Sequence, residues 1–181
     1  MKDHKEKKWK MRVSFDLDEV LFVSEETHQT EPAPFFPLNL IFRERLRLGC
    51  PELIRTLQKM DYEVWVYTSS FRSESYIKAL FFFYGVKFDG IVNGHRHLKE
   101  VQRENRTMLP QKLPNMYRIS LHIDDETIVC SLGRQYGYNA YQLNAQDDEW
   151  KEKIIAKAEE IRRREFSDSK TPFPDAPDQD P

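Results

Sequence analysis

The sequence has only two cysteines, Cys50 and Cys130, and they lie too far apart for any metal or redox spacing. Both are expected as buried thiols in a reducing compartment. No apolar run approaches the length needed to cross a bilayer. The charged start, Met1-Lys2-Asp3-His4-Lys5-Glu6-Lys7-Lys8, is not followed by the apolar stretch of a secretory signal. Neither sign of charge dominates, and a net charge of −2 argues neither for nucleic acid nor against it. Arg162-Arg163-Arg164 is a basic run, but at a helix C-terminus it complements the helix dipole. These absences lead to the expectation of a soluble, cytoplasmic protein with no membrane partner and no clear nucleic-acid signal.

What is present is a chain of 181 residues with clear apolar segments, enough for one domain with a sizeable core. Met11-Arg12-Val13-Ser14-Phe15 alternates at period two and reads as a strand. The segment from 25 to 47 interleaves Pro32, Pro34 and Pro37 with Phe35 and Phe36, and reads as a small flap, spanning about 21–47, packed near the strand end. A helix follows over 51–60, with proline near its first position. Tyr62-Glu63-Val64-Trp65-Val66-Tyr67 is nearly continuous in apolar and aromatic residues, as in a buried parallel strand. Next come a helix capped near Ser73 and stopped by Gly85, a short strand over 88–92, and a polar stretch with a helix around 98–105. A strand over 118–123, a helix over 128–136, a strand over 138–143 and an amphipathic helix over 148–164 complete the pattern. Residues 1–10 read as a charged extension, 11–166 as the domain, and 167–181, rich in proline and aspartate, as a disordered tail.

Strands alternating with helices at this spacing predict an α/β fold: a three-layer, Rossmann-like parallel sheet with helices on both faces and no large cap domain. In such sheets the ligand site lies beyond the carboxyl ends of the strands. The polar clusters obey that rule. Asp16 with Asp18, Thr68, and Asp124 with Asp125 each fall where a different predicted strand ends. A strand that delivers one carboxylate into a site, with a second just beyond, can hold a divalent metal and still move protons. His122 and Ser120 share the parity of Asp124, and Ser14 that of Asp16, which suggests polar residues packed beneath the site. Gly94-His95-Arg96-His97 completes no set of metal ligands with either cysteine, so its histidines are expected on a surface loop.

Taken together, Asp16-Leu17-Asp18-Glu19-Val20, Val64-Trp65-Val66-Tyr67-Thr68-Ser69, Lys112 and His122-Ile123-Asp124-Asp125 resemble, in that order, the haloacid dehalogenase (HAD) superfamily of phosphohydrolases. The resemblance spans about 11–150. It implies a capless phosphatase in which Asp16 is the nucleophile and Asp18 the residue that moves the proton. An acid at the second position points to phosphatase rather than dehalogenase chemistry. The resemblance further implies Thr68 and Ser69 as phosphate-binding residues, with Ser70 able to share the contact. Lys112 would neutralise the phosphate and hold the nucleophile, with Lys99 as competitor. The metal would be Mg²⁺, at a site drawn from Asp16, Asp18, Asp124 and Asp125.

The function implied is magnesium-dependent hydrolysis of a phosphomonoester through an aspartyl-phosphate. The substrate is a phosphorylated small molecule or macromolecule, and Phe35, Phe36 and Phe71 are candidates for its rim. Two other readings stay open. One is a catalytically silent module that keeps the fold and binds a metal, a phospho-ligand or a protein. The other is a nuclease, because paired acids also build two-metal sites.

Overall fold

The computed structural model describes residues 10–102, 109–144 and 146–168. The alternation of Arg12-Val13-Ser14-Phe15 becomes β1 (Arg12–Phe15), which buries Val13 and Phe15 on one face and Ser14 on the other. The chain continues through β2 (Phe22–Val23), α1 (Leu38–Ile41), β3 (Arg45–Leu46), α2 (Cys50–Lys59), β4 (Glu63–Tyr67), α3 (Glu74–Phe83), β5 (Gly90–Val92) and α4 (Gly94–His97). A π-helical turn at Leu98–Gln102 follows α4, and a 3-10 turn at Pro114–Tyr117 leads to β6 (Ile119–Asp124). Then come α5 (Thr127–Tyr136), β7 (Asn139–Gln142) and α6 (Trp150–Asp168). None of the described helices is long and apolar enough to cross a membrane.

Five strands form one parallel sheet in the order β5-β4-β1-β6-β7. From β1 the chain builds outward to β4 and β5, then returns to add β6 and β7 on the other side. The order reverses at β1, so the crevice of the sheet opens where β1, β4 and β6 end. The larger core packs Leu53, Ile54 and Leu57 of α2, Ile77, Leu80 and Phe81 of α3, and Ile154, Ala158 and Ile161 of α6 against Val13, Phe15, Val64, Val66, Leu121 and Ile123. A smaller cluster of Tyr67, Val92, Val101, Leu113, Tyr117 and Ile119 forms separately, with Trp65 packed against it. This is the three-layer parallel architecture that the alternating pattern predicts.

Between β1 and α2 the chain inserts only the antiparallel hairpin β2–β3 and the short α1. It is fastened to the body by aromatic contacts, Phe22 on Phe81 and Phe42 on Tyr76 and Phe83. Two expectations shift. The last helix runs on through Ser167 to Asp168, past the expected boundary, because no proline or glycine interrupts Trp150–Asp168. The helix expected around 98–105 is α4 followed by the π-helical turn, beginning four residues earlier with the Asn93 side chain accepting from the Arg96 N–H. Residues 103–105, the extension 1–9 and the tail 169–181 lie outside the described residues.

Candidate active site

β1 stays paired one residue past its end, the Asp16 N–H donating to Ile123 O at 2.9 Å. Asp16 is thereby fixed inside, 5% exposed. Leu17 is buried behind it, and its carbonyl accepts from both Leu21 N–H (2.9 Å) and Phe22 N–H (2.7 Å). Closing that turn puts Glu19 in the left-handed region at φ 57°, uncommon for a residue with a Cβ. The turn throws the next carboxylate outward: the Asp18 side chain is 51% exposed.

The floor of the crevice is a buried chain of polar contacts. Lys112 Nζ sits 2.9 Å from Asp16 Oδ2 and 2.6 Å from Asp124 Oδ2. His122 Nε2 lies 2.8 Å from the same Asp124 oxygen, and His122 Nδ1 2.8 Å from Ser14 Oγ. Asp124 Oδ1 accepts from the Glu126 N–H at 3.0 Å. Lys112 comes from an irregular stretch before the 3-10 turn, whereas Lys99 is exposed on the π-helical turn. Ser14 and His122 therefore form the polar layer that their parity suggests. Ser120 does not join it: its hydroxyl donates to Glu165.

These contacts set the charge states. Burial pushes the Asp16 carboxyl above its ordinary range, against the pull of Lys112, and the Asp124 charge adds to the rise. Burial also raises Asp124, but His122 and Lys112 outweigh it and hold that carboxyl low. Lys112 loses stability as a cation through burial, yet Asp16 and Asp124 more than restore it and keep it an ammonium. Asp125 is raised, by burial first and then by the neighbouring acids Asp124 and Asp16.

The second strand end supplies hydroxyls. Thr68 is buried, and its Oγ1 accepts from the Ser70 N–H at 3.1 Å, which leaves its own proton free to donate. Ser69 and Ser70 are half-buried beside it. Gly94 abuts this loop so closely that a Cβ there would come 2.5 Å from Ser69 O, and its N–H donates to Ser70 O at 2.8 Å. The histidines of α4 split. His95 meets the edge of Phe71, but His97 is buried and bonded to Tyr67 OH at 2.6 Å, because helix α4 turns it inward where a surface loop was expected.

At the rim, Arg72 Nη1 donates to Asp18 Oδ2 and to Ser70 Oγ, both at 2.8 Å, and Nε donates to Glu44 Oε1 at 3.0 Å. Phe35, Phe36 and Phe71 are exposed. Cys50 is fully buried, whereas Cys130 is half-buried with its thiol directed at Asp124 O.

The residues fit a hard divalent cation. Asp16, Asp124 and Asp125 each present a carboxylate oxygen within 4.8 Å of the others, and Asp16 Oδ1 is buried with no hydrogen-bond partner. An orphaned carboxylate oxygen in an all-oxygen cluster is what such an ion satisfies. The Asp18 carboxylate stands apart from this group, tied to Arg72.

No family model matches the chain, and no curated protein matches it. Its architecture does match solved structures. A HAD-superfamily hydrolase of subfamily IA, variant 1, from Geobacter sulfurreducens superposes with a TM-score of 0.51 at 14% identity, over 82% of this chain and 100% of that one. The fold is that of the HAD superfamily. The HAD domain of the effector Lem4 from Legionella pneumophila matches at a TM-score of 0.48 and 15% identity, over 81% of this chain and 93% of that one. A HAD family enzyme from Bacteroides thetaiotaomicron, solved with magnesium and inorganic phosphate, matches at 0.46 and 12%, over 77% and 97%.

Within this HAD-like fold, Asp16, Thr68, Lys112 and Asp124 all sit at the crevice, and no large cap stands over it among the described residues. Arg72 is the rim residue that sequence reasoning overlooks, since an arginine three residues after Ser69 matches no pattern. The buried Tyr67–His97 pair is likewise invisible without the fold.

Proposed function

We propose that this protein is a magnesium-dependent phosphatase that hydrolyses phosphomonoesters through an aspartyl-phosphate on Asp16. One observation carries the reading: a buried Asp16 with Oδ2 on Lys112 and Oδ1 unpartnered, beside Asp124 and Asp125. A buried carboxylate aligned through one oxygen by an ammonium, with its other oxygen unsatisfied beside two further acids, has the placement of a metal-assisted nucleophile.

In the first half-reaction an Asp16 oxygen forms a bond to phosphorus as the ester oxygen leaves. Asp18 delivers a proton to that oxygen. In the second, water attacks phosphorus, the bond to Asp16 breaks, and Asp18 takes the water's proton. Inorganic phosphate departs and both carboxyls return to their starting states. Lys112 aligns Asp16 and offsets phosphoryl charge; Thr68 donates its hydroxyl to a phosphate oxygen, with Ser69 and its backbone beside it. Asp16, Asp124 and Asp125 would hold Mg²⁺, which when bound supplies charge stabilisation for the transferring phosphoryl group. The open crevice suits a phosphorylated small molecule or the exposed phosphoester of a macromolecule.

The test is turnover of an aryl phosphate with and without Mg²⁺. Wild type is expected to be active only with the metal, and Asp16→Asn to be inactive while folded. Vanadate or beryllofluoride is expected to raise the melting temperature only when Mg²⁺ is present. A folded wild type that binds Mg²⁺ but turns over nothing on a broad phosphoester panel would refute the reading and favour a silent binding module.

A further inference from the structure

Resting on that reading, we infer that Arg72 is the positioning residue that sets the proton-moving carboxylate Asp18 and couples it to the flap. The Asp18 side chain is half exposed on a turn, and a solvated carboxylate there samples several rotamers. Arg72 removes that freedom. Its Nη1 holds Asp18 Oδ2, while Asp18 Oδ1 has no partner among the described residues and is left to move the proton.

Arg72 is itself fixed from four sides. Its carbonyl accepts from buried Asn93 Nδ2 at 2.8 Å, and its N–H donates to Ser70 Oγ at 3.2 Å. Nε is held by Glu44, whose other oxygen takes the Tyr76 hydroxyl. The guanidinium lies 5.4 Å over the ring of Phe22, on the hairpin. One side chain therefore ties the Asp18 turn, the loop after Thr68 and the flap into one arrangement. The tie needs a planar fork, because Asp18 and Glu44 are engaged by different nitrogens.

Steady-state kinetics of the full-length chain with Mg²⁺ test this, using aryl and alkyl phosphates to vary the leaving group. Arg72→Ala is expected to lower kcat about 10- to 100-fold while KM moves less than about threefold. Arg72→Lys recovers little of the loss. The signature of action through Asp18 is twofold. First, Arg72→Ala lowers kcat/KM more for the alkyl than for the aryl ester, as Asp18→Asn does, because the poorer leaving group needs the proton more. Second, the double variant Asp18→Asn/Arg72→Ala is no slower than Asp18→Asn alone.

Losses that multiply in the double variant, or a change in KM alone, overturn the inference and leave Arg72 touching substrate or merely structural. Should Arg72→Ala fail to fold, Arg72→Lys and Glu44→Gln carry the test. Glu44→Gln is expected to lower kcat several-fold, and unchanged kcat in both overturns the inference. A wild type silent on every phosphoester refutes the phosphatase itself, an outcome distinct from an active wild type whose losses multiply.

Discussion

Lys112 and Arg72 are each a cation between two acids, one at 1% side-chain exposure and the other at 29%. Lys112 joins Asp16 to Asp124 on the floor; Arg72 joins Asp18 to Glu44 at the rim. The difference in solvent decides what each pair of contacts does. On the floor the side chains are buried, so each charge depends on its partner, and the geometry is fixed by the cost of breaking it. At the rim, water competes for every contact, so the same kind of pairing adds little to folding and acts mainly by orienting groups. On the proposed reading, the floor would serve the stability of the fold and the nucleophile, and the rim the proton transfer.

The largest effect expected from this contrast is at Lys112. Replacing it with methionine keeps the volume but leaves Asp16 and Asp124 facing each other, buried, with no cation between them. The expected loss is about 3–5 kcal/mol of folding stability in a denaturant titration. A loss no greater than that of Arg72→Ala would erase the distinction between floor and rim.

The same contrast explains what the sequence disclosed. The floor was legible because strands impose parity: Ser14 and Asp16 on one strand, and His122 and Asp124 on another, must face the same side of the sheet. The parallel sheet followed from alternation of elements, whereas position along the chain left Lys112 and Lys99 both open, since each lies between the Thr68 and Asp124 strand ends. The rim was not legible. Arg72 reaches Asp18 across 54 residues of sequence and Glu44 across 28, through loops whose paths no period encodes. The outward course of the Asp18 carboxylate was hidden for a similar reason, since it depends on a left-handed Glu19. The inward turn of His97 needed the packing of Tyr67 to be seen.

His122→Leu sharpens the floor side with a smaller step. It removes a donor from Asp124 Oδ2 and strands the buried Ser14 hydroxyl, while Lys112 still bridges the two acids. The expected cost is about 1–3 kcal/mol by chemical denaturation, between the Lys112 and Arg72 variants. At the rim, Arg72→Ala is expected to change stability by less than about 1 kcal/mol even where it depresses kcat. Equal losses in His122→Leu and Arg72→Ala would show that burial is not what separates the two regions.

The smallest effect is a pH dependence peculiar to the rim. Burial raises the Glu44 carboxyl, but the Tyr76 hydroxyl, a backbone contact and Arg72 outweigh it and hold it below its ordinary 4.5. A carboxyl depressed in the folded state stabilises fully above its unfolded value, and the contribution fades as pH falls through the lower folded value. Tyr76 bounds the other end. Burial and the hydrogen bond to Glu44 raise its hydroxyl to about 12, so its contribution is intact below the unfolded value of 10.0 and is lost as pH rises through about 12. Melting temperatures across pH are therefore expected to show Glu44→Gln losing its deficit relative to wild type below pH 4.5. Tyr76→Phe is expected to lose its deficit only above pH 10.0. A Glu44→Gln deficit that persists unchanged into acid would mean that Arg72 and Tyr76 hold the flap without drawing on the Glu44 charge.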